Sequence, residues 1–156
     1  MAARWSRLVR SAILLGCSEA EAEDVVQTAL ERCLTHWRKV ERANDRDAYV
    51  HKVLLNTITG SRRRKCTTYV DVAQAPDRTE ADKTADVDTS DALERGLSRL
   101  PADQRNAVVL RYYAHLTEQQ MAVVLDVPPG TIKSRLSRAL ATLSSDPSLD
   151  ELRDAR

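Results

Sequence analysis

The chain has 156 residues, a formal net charge of +1, 42% hydrophobic residues, four Gly, no Phe and only 4% aromatic residues. That length holds one ordinary domain or two small ones, the Leu, Val and Ala content suits helices better than sheets, and no apolar run approaches the roughly 18 residues of a membrane span. The charge falls into three blocks, net +5 over residues 1–65, −5 over 66–91 and +1 over 92–156, so separate segments are expected to meet separate partners.

At the N-terminus, Ile13-Leu14-Leu15 is too short for a signal peptide and is followed by acidic residues. A cytoplasmic protein without membrane insertion is expected. Trp5, Leu8, Ala12 and Leu15 suggest a short helix. Ser18 and Glu21 have the spacing of a capping box that opens a second helix. Its apolar positions are Ala22, Val25, Val26, Ala29, Leu30, Cys33, Leu34 and Trp37, a period that buries one face. The opposite stripe, Asp24, Gln27, Thr28, Glu31 and Thr35, is wholly polar. Lys39 to Asp47 breaks the period and reads as a loop, after which Asp45 or Asp47 caps a helix through Ala48, Val50, Val53, Leu54, Thr57 and Ile58. That helix ends in Arg62-Arg63-Arg64-Lys65. Cations favour a helix C-terminus, but four in succession repel one another, so a polyanion is the better reason for them.

Residues 66–90 lose periodicity and read as a flexible acidic linker. Leu93 begins a second helical block, and Pro101 starts a helix with Ala107, Val108, Leu110 and Tyr112 inward. Thr117 is a good N-cap for a short helix that turns Met121, Ala122, Val124 and Leu125 inward. Asp126-Val127-Pro128 breaks it, and Pro129 fits the first turn of the next helix because its missing amide hydrogen was unsatisfied there anyway.

Thr117–Leu125, the break and Pro129–Leu143 together have the layout of a helix-turn-helix. In the second helix Ile132, Leu136, Ala139, Leu140 and Leu143 fall on one side, and Lys133, Ser134, Ser137, Arg138 and Ala141 on the other. No carboxylate lies between Thr131 and Ser145. Such a face suits the major groove, where Lys and Arg reach guanine edges or phosphate. The same pattern also describes a helical hairpin with a solvated basic face.

Two further patterns carry little. Cys17, Cys33 and Cys66 include no C-x-x-C pair, and Cys33 with His36 makes only half a zinc site, so no metal is expected. His36, His51 and His115 are scattered, and no paired carboxylates, nucleophile–base set or glycine-rich loop is present, which argues against an enzyme, a cofactor or a small-molecule substrate.

Ala22-Glu23-Asp24-Val25-Val26-Gln27, Val53-Leu54-Leu55-Asn56-Thr57 and Arg62-Arg63-Arg64 resemble the second conserved region of extracytoplasmic-function (ECF) sigma factors of the sigma-70 family, in their actinobacterial style. Leu100-Pro101-Ala102-Asp103-Gln104-Arg105, Leu116-Thr117-Glu118-Gln119-Gln120-Met121-Ala122 and Gly130-Thr131-Ile132-Lys133-Ser134-Arg135-Leu136-Ser137-Arg138-Ala139 resemble the fourth. The match spans nearly the whole chain in family order. It implies an all-α protein of two small helical domains, residues 1–65 and 91–145, joined by the acidic linker 66–90 and followed by a polar tail, 146–156. It further implies that Asp24, Gln27 and Glu31 meet the β′ clamp helices of core RNA polymerase, and that the β flap is a second contact. Lys39–Asp47 and Asn56 would capture a flipped −10 base, while Arg62, Arg63, Arg64 and Lys65 hold phosphates. Lys133, Ser134, Ser137 and Arg138 would read the −35 element of promoter DNA, with Arg135 a phosphate or packing residue. The resemblance leaves room for an anti-sigma factor. Relative to the family, the first helix starts late, Pro128 replaces a common capping Ser, and no extra regulatory domain is expected after Ser144. The competing reading is a stand-alone helix-turn-helix regulator that needs no polymerase but does need a dimer interface.

Overall fold

The computed structural model describes residues 2–68 and 85–150, and every described element is helical. The helices form two compact units.

In the first unit, α1 (Ala2–Leu14) and α4 (Arg46–Thr68) both pack on α2 (Glu19–Thr35), with α3 (Trp37–Arg42) turning beside α4. Helix α2 starts as its sequence predicts: the Ser18 hydroxyl accepts from the Glu21 amide at 3.3 Å, and the Glu21 carboxylate accepts from the Ser18 amide at 3.1 Å. Its buried residues are Ala22, Val25, Val26, Ala29 and Cys33. Burial pushes the Cys33 thiol up, so it stays protonated and unreactive at neutral pH. Two expected core residues face outward instead, Leu34 at 69% exposure and Trp37 at 46%. For Trp37 the cause is a break at His36 (φ −111°, ψ 34°), which ends α2 and begins α3, so the 3.6-residue phase does not carry through. Residues 37–42, expected to be part helix and part loop, are therefore one short helix, with Val40 buried. Among 39–47, only 43–45 lie outside helices.

Helix α4 is capped by Asp45, whose Oδ1 accepts from the Ala48 amide at 2.8 Å, whereas Asp47 pairs with Arg4 at 2.7 Å. The two carboxylates are expected to differ in worth. Asp45→Ala removes a cap and should cost about 0.5–2 kcal/mol. Asp47→Ala breaks an ion pair whose side chains are 63–73% exposed, worth about 0–1 kcal/mol. Urea midpoints followed by far-ultraviolet circular dichroism will rank them, and an equal loss would remove Asp45 as the cap.

The acidic segment is helical at both described ends. Residues 66–68 complete α4, and α5 (Ala85–Ser98) starts eight residues before Leu93. Asp, Val, Thr and Ser are mediocre helix formers, and here they lack an apolar phase, so nothing local signals that early start. The rest of the linker, with Asp71, Asp77, Glu80 and Asp82, lies outside the described residues.

The second unit builds on α6 (Ala102–Val108), which packs on α8 (Pro129–Ser144). Helix α6 runs into a π turn, Val109–Tyr113, closed by the Ala114 amide donating to the Val109 carbonyl at 3.0 Å. One extra residue in the turn shifts the side-chain phase. Hence Val109 and Leu110 are buried and Tyr112, expected inside, is 53% exposed. Helix α7 (Glu118–Leu125) opens on a second capping box, Thr117 with Gln120. It stops at Asp126, whose left-handed backbone (φ 54°, ψ 50°) an aspartate tolerates better than most residues. The segment after α8 is not simply a polar tail: Asp146 accepts from Arg99 with both oxygens at 2.8 Å, and the turn Pro147–Leu149 lies on α5. There a Cβ on Gly96 would stand 3.1 Å from Leu149 Cδ1, which is why a glycine suits that close approach.

Candidate nucleic-acid interface

Helix α8 is two-faced, as its sequence period requires. Ile132 and Ala139 are fully buried and Leu136 is 8% exposed, so the helix is seated by three residues on one stripe. Leu140, expected on that stripe, sits at its flank and is 42% exposed; Leu143 is half-buried. Lys133, Ser137 and Arg138 are exposed on the far side. Ser134 is half-buried, its hydroxyl donating to the Thr131 carbonyl at 3.0 Å. Pro128 supplies no side-chain cap, yet its carbonyl accepts from the Thr131 and Ile132 amides at 3.0 and 3.3 Å, and Pro129 occupies the first turn. The first turn is thereby closed by backbone alone.

Neighbouring helices set the charges around this face. Arg135 Nε lies 3.5 Å from Asp103 Oδ2, with the arginine side chain 22% exposed, so Arg135 ties α8 to α6 and serves packing. Lys133 Nζ stands 3.9 Å from Glu118 Oε2 at the start of α7. Arg138 is exposed and has no ion-pair partner among the described residues. Of the two cations on the outer face, one is restrained and one is open. The sequence did not single out Glu118; only the fold brings residues fifteen apart in the chain to one spot.

In the first unit the cationic cluster of α4 is exposed throughout. Arg62 and Lys65 share the helix face of Leu54 and Ile58: Arg62 Nη2 donates to the Leu15 carbonyl at 3.0 Å and Lys65 pairs with Glu21, while both residues remain exposed. Arg63 and Arg64 lie on the outward arc, both exposed. Asn56 is exposed one turn and a half earlier on α4.

Asp24, Gln27 and Glu31 all lie exposed on α2 opposite its buried stripe. Gln27 Nε2 donates to Glu31 Oε1 at 3.2 Å, and the Thr28 and Thr35 hydroxyls return to the carbonyls of Asp24 and Glu31 at 2.9 Å. The threonines are thus satisfied within the helix, while the carboxylates and the amide face solvent. Exposed Leu34 continues the same stripe, three residues past Glu31 and seven past Gln27. Its spacing fits this stripe as well as the apolar one, to which the period through Leu30 assigns it.

Among the described residues no helix is long and apolar enough to cross a membrane. The family described as Sigma-70, region 4 matches residues 90–143. The RNA polymerase sigma-E factor of Streptomyces coelicolor is 35% identical over 143 residues, 92% of this chain and 81% of that protein. The ECF RNA polymerase sigma factor SigM of Mycobacterium tuberculosis is 30% identical over 138 residues, 88% of this chain and 70% of that protein. Among solved structures, the sigma factor RpoE of Bartonella quintana, co-crystallised with the anti-sigma factor NepR, is similar with a TM-score of 0.71 at 25% identity, over 97% of this chain and 93% of that one.

Proposed function

The chain belongs to the extracytoplasmic-function subfamily of sigma-70 RNA polymerase sigma factors, a regulatory and non-enzymatic family, and on that premise we propose how it selects and opens promoters. It binds core polymerase through the polar stripe Asp24, Gln27 and Glu31, with the β′ clamp helices as partner and the β flap as a second contact. Helix α8 enters the major groove of the −35 element and presents Lys133, Ser134, Ser137 and Arg138. Residues 39–47 and Asn56 hold a flipped base of the −10 element, and Arg62, Arg63, Arg64 and Lys65 hold backbone phosphates nearby.

The observation that carries this reading is α8 itself: a helix seated by Ile132, Leu136 and Ala139 whose outer face bears cations and hydroxyls and no carboxylate. The work done is physical. Extruding a base from duplex DNA costs a few kcal/mol, and a pocket that binds only the extruded base shifts the equilibrium toward open DNA. Binding at the −35 element fixes the register at which that pocket acts. Residues 1–65 and 91–145 are the two working modules, with 66–90 between them. An anti-sigma factor is a fitting regulator, because the solved relative from Bartonella quintana carries one.

The test is reconstitution with core polymerase and run-off transcription on genomic fragments. The full chain is expected to co-elute with core enzyme and to start discrete transcripts. Asp24→Ala with Gln27→Ala should weaken polymerase affinity by about tenfold, some 1.4 kcal/mol, with the helical signal unchanged. Equal affinity for the double variant would defeat the α2 assignment, and a stable free dimer that binds palindromic DNA without polymerase would point to a stand-alone regulator instead.

A further inference from the structure

We propose that Glu118 is a positioning residue for promoter discrimination: by holding Lys133, it lowers binding to arbitrary DNA and so widens the gap between the right promoter and the wrong one. The inference rests on α8 being the helix that reads the −35 element.

The geometry begins with the contrast between the two outer cations of α8. Arg138 has no ion-pair partner among the described residues, while Lys133 Nζ lies 3.9 Å from Glu118 Oε2. Lysine is a compact charge on a flexible stem, and a free one reaches whichever phosphate is nearest, irrespective of sequence. Each phosphate neutralised on duplex DNA adds about 0.9 to the slope of log affinity against log salt, and this sequence-independent term supplies most non-specific binding. A carboxylate beside the lysine opposes that use in two ways. It competes for the ammonium, and it repels an approaching phosphate.

Glu118 takes no part in the cap of α7. The start of α7 is already capped by Thr117 and Gln120, whose hydroxyl and side-chain oxygen take the amides of Gln120 and Thr117 at 3.2 and 2.7 Å. Its position in the first turn of α7 suits a negative charge. The lysine side chain is 71% exposed and the glutamate 36%, which makes the pair weak, worth at most about fivefold in an equilibrium. Weakness is what the role requires. A base edge that satisfies Lys133 better than Glu118 does can take the lysine over, whereas a passing phosphate gains little from doing so.

The experiment uses the full chain assembled with core polymerase and compares the wild type, Glu118→Gln, Lys133→Ala and the double variant. Each binds a promoter duplex and a scrambled duplex over a potassium chloride series. Glutamine keeps the size of the side chain and leaves the capping box intact. Glu118→Gln is expected to tighten binding to the scrambled duplex about two- to fivefold and to steepen its salt slope by about 0.9, with a smaller gain on the promoter. Adding Lys133→Ala should erase both changes. The inference is overturned if Glu118→Gln leaves scrambled binding unaltered, or if its effect persists without Lys133. A wild type that fails to prefer the promoter over the scrambled duplex would sink the reading of α8, and this inference with it.

Discussion

Ile132→Ala is expected to cost about 2–5 kcal/mol of stability and to take promoter selection with it, though residue 132 touches no DNA in the proposed reading. Ile132 is fully buried in the first turn of α8. That turn has no side-chain cap, because Pro128 stands at the N-cap, so its position depends on what its apolar residues rest on. Only three residues of α8 are buried, Ile132, Leu136 and Ala139, and Ala139 contributes little area. Removing the isoleucine leaves Leu136 as the one large side chain buried in the seat of the sixteen-residue helix, helped by Ala139 and the Arg135–Asp103 pair. Leu140→Ala is the control, since Leu140 is 42% exposed on the flank of the same helix and should lose well under the roughly 2 kcal/mol of a core truncation. Urea unfolding followed by circular dichroism gives both values. Comparable losses at 132 and 140 would mean that α8 is not seated by the stripe described.

Which features were legible in the sequence follows from the range over which each is determined. Both capping boxes were, because Ser18 with Glu21 and Thr117 with Gln120 act across three residues and need nothing else to form. The seat of α8 was also legible: its polar and apolar residues keep one phase from Pro129 to Ser144. Errors arose at Leu140, which keeps the phase of α8 yet sits at the flank of its buried stripe, 42% exposed, and where the phase slips. The break at His36 turned Trp37 outward, and the π turn at Val109–Tyr113 did the same for Tyr112. Neither break has a Gly or Pro to announce it. Leu34 is a different case: the apolar spacing that runs through Leu30 assigned it to the buried face, yet it borders Gln27 and Glu31 equally well and lies exposed with them. The candidate site was readable as a set of residue types, but not as an electrostatic arrangement. Pairing of Arg62 with the Leu15 carbonyl, Lys65 with Glu21 and Lys133 with Glu118 depends on helices packing together across long stretches of chain, which no local pattern encodes.

That arrangement makes Arg138 the residue with the largest expected effect on recognition. Arg138→Ala should lower promoter affinity relative to scrambled DNA by about 1–3 kcal/mol if the guanidinium takes a guanine edge with two hydrogen bonds. Lys133→Ala should do less, because a lysine has no paired donor fork for a guanine edge and Lys133 must also leave its weak contact with Glu118. The two possible roles of Arg138 also leave different signatures. If it bonds a base, its removal relaxes preference at one base pair and changes the salt slope little. If it bonds a phosphate, its removal weakens all sequences alike and lowers the slope by about 0.9. Binding of the Arg138→Ala holoenzyme to promoters substituted singly across the −35 element, repeated at two salt concentrations, separates these outcomes. If preference stays intact at every substituted position, Arg138 does not face the bases, and the reading surface must be sought at Ser134 and Ser137. Those hydroxyls offer shorter reach and no charge, so far weaker discrimination would then be expected of the whole helix.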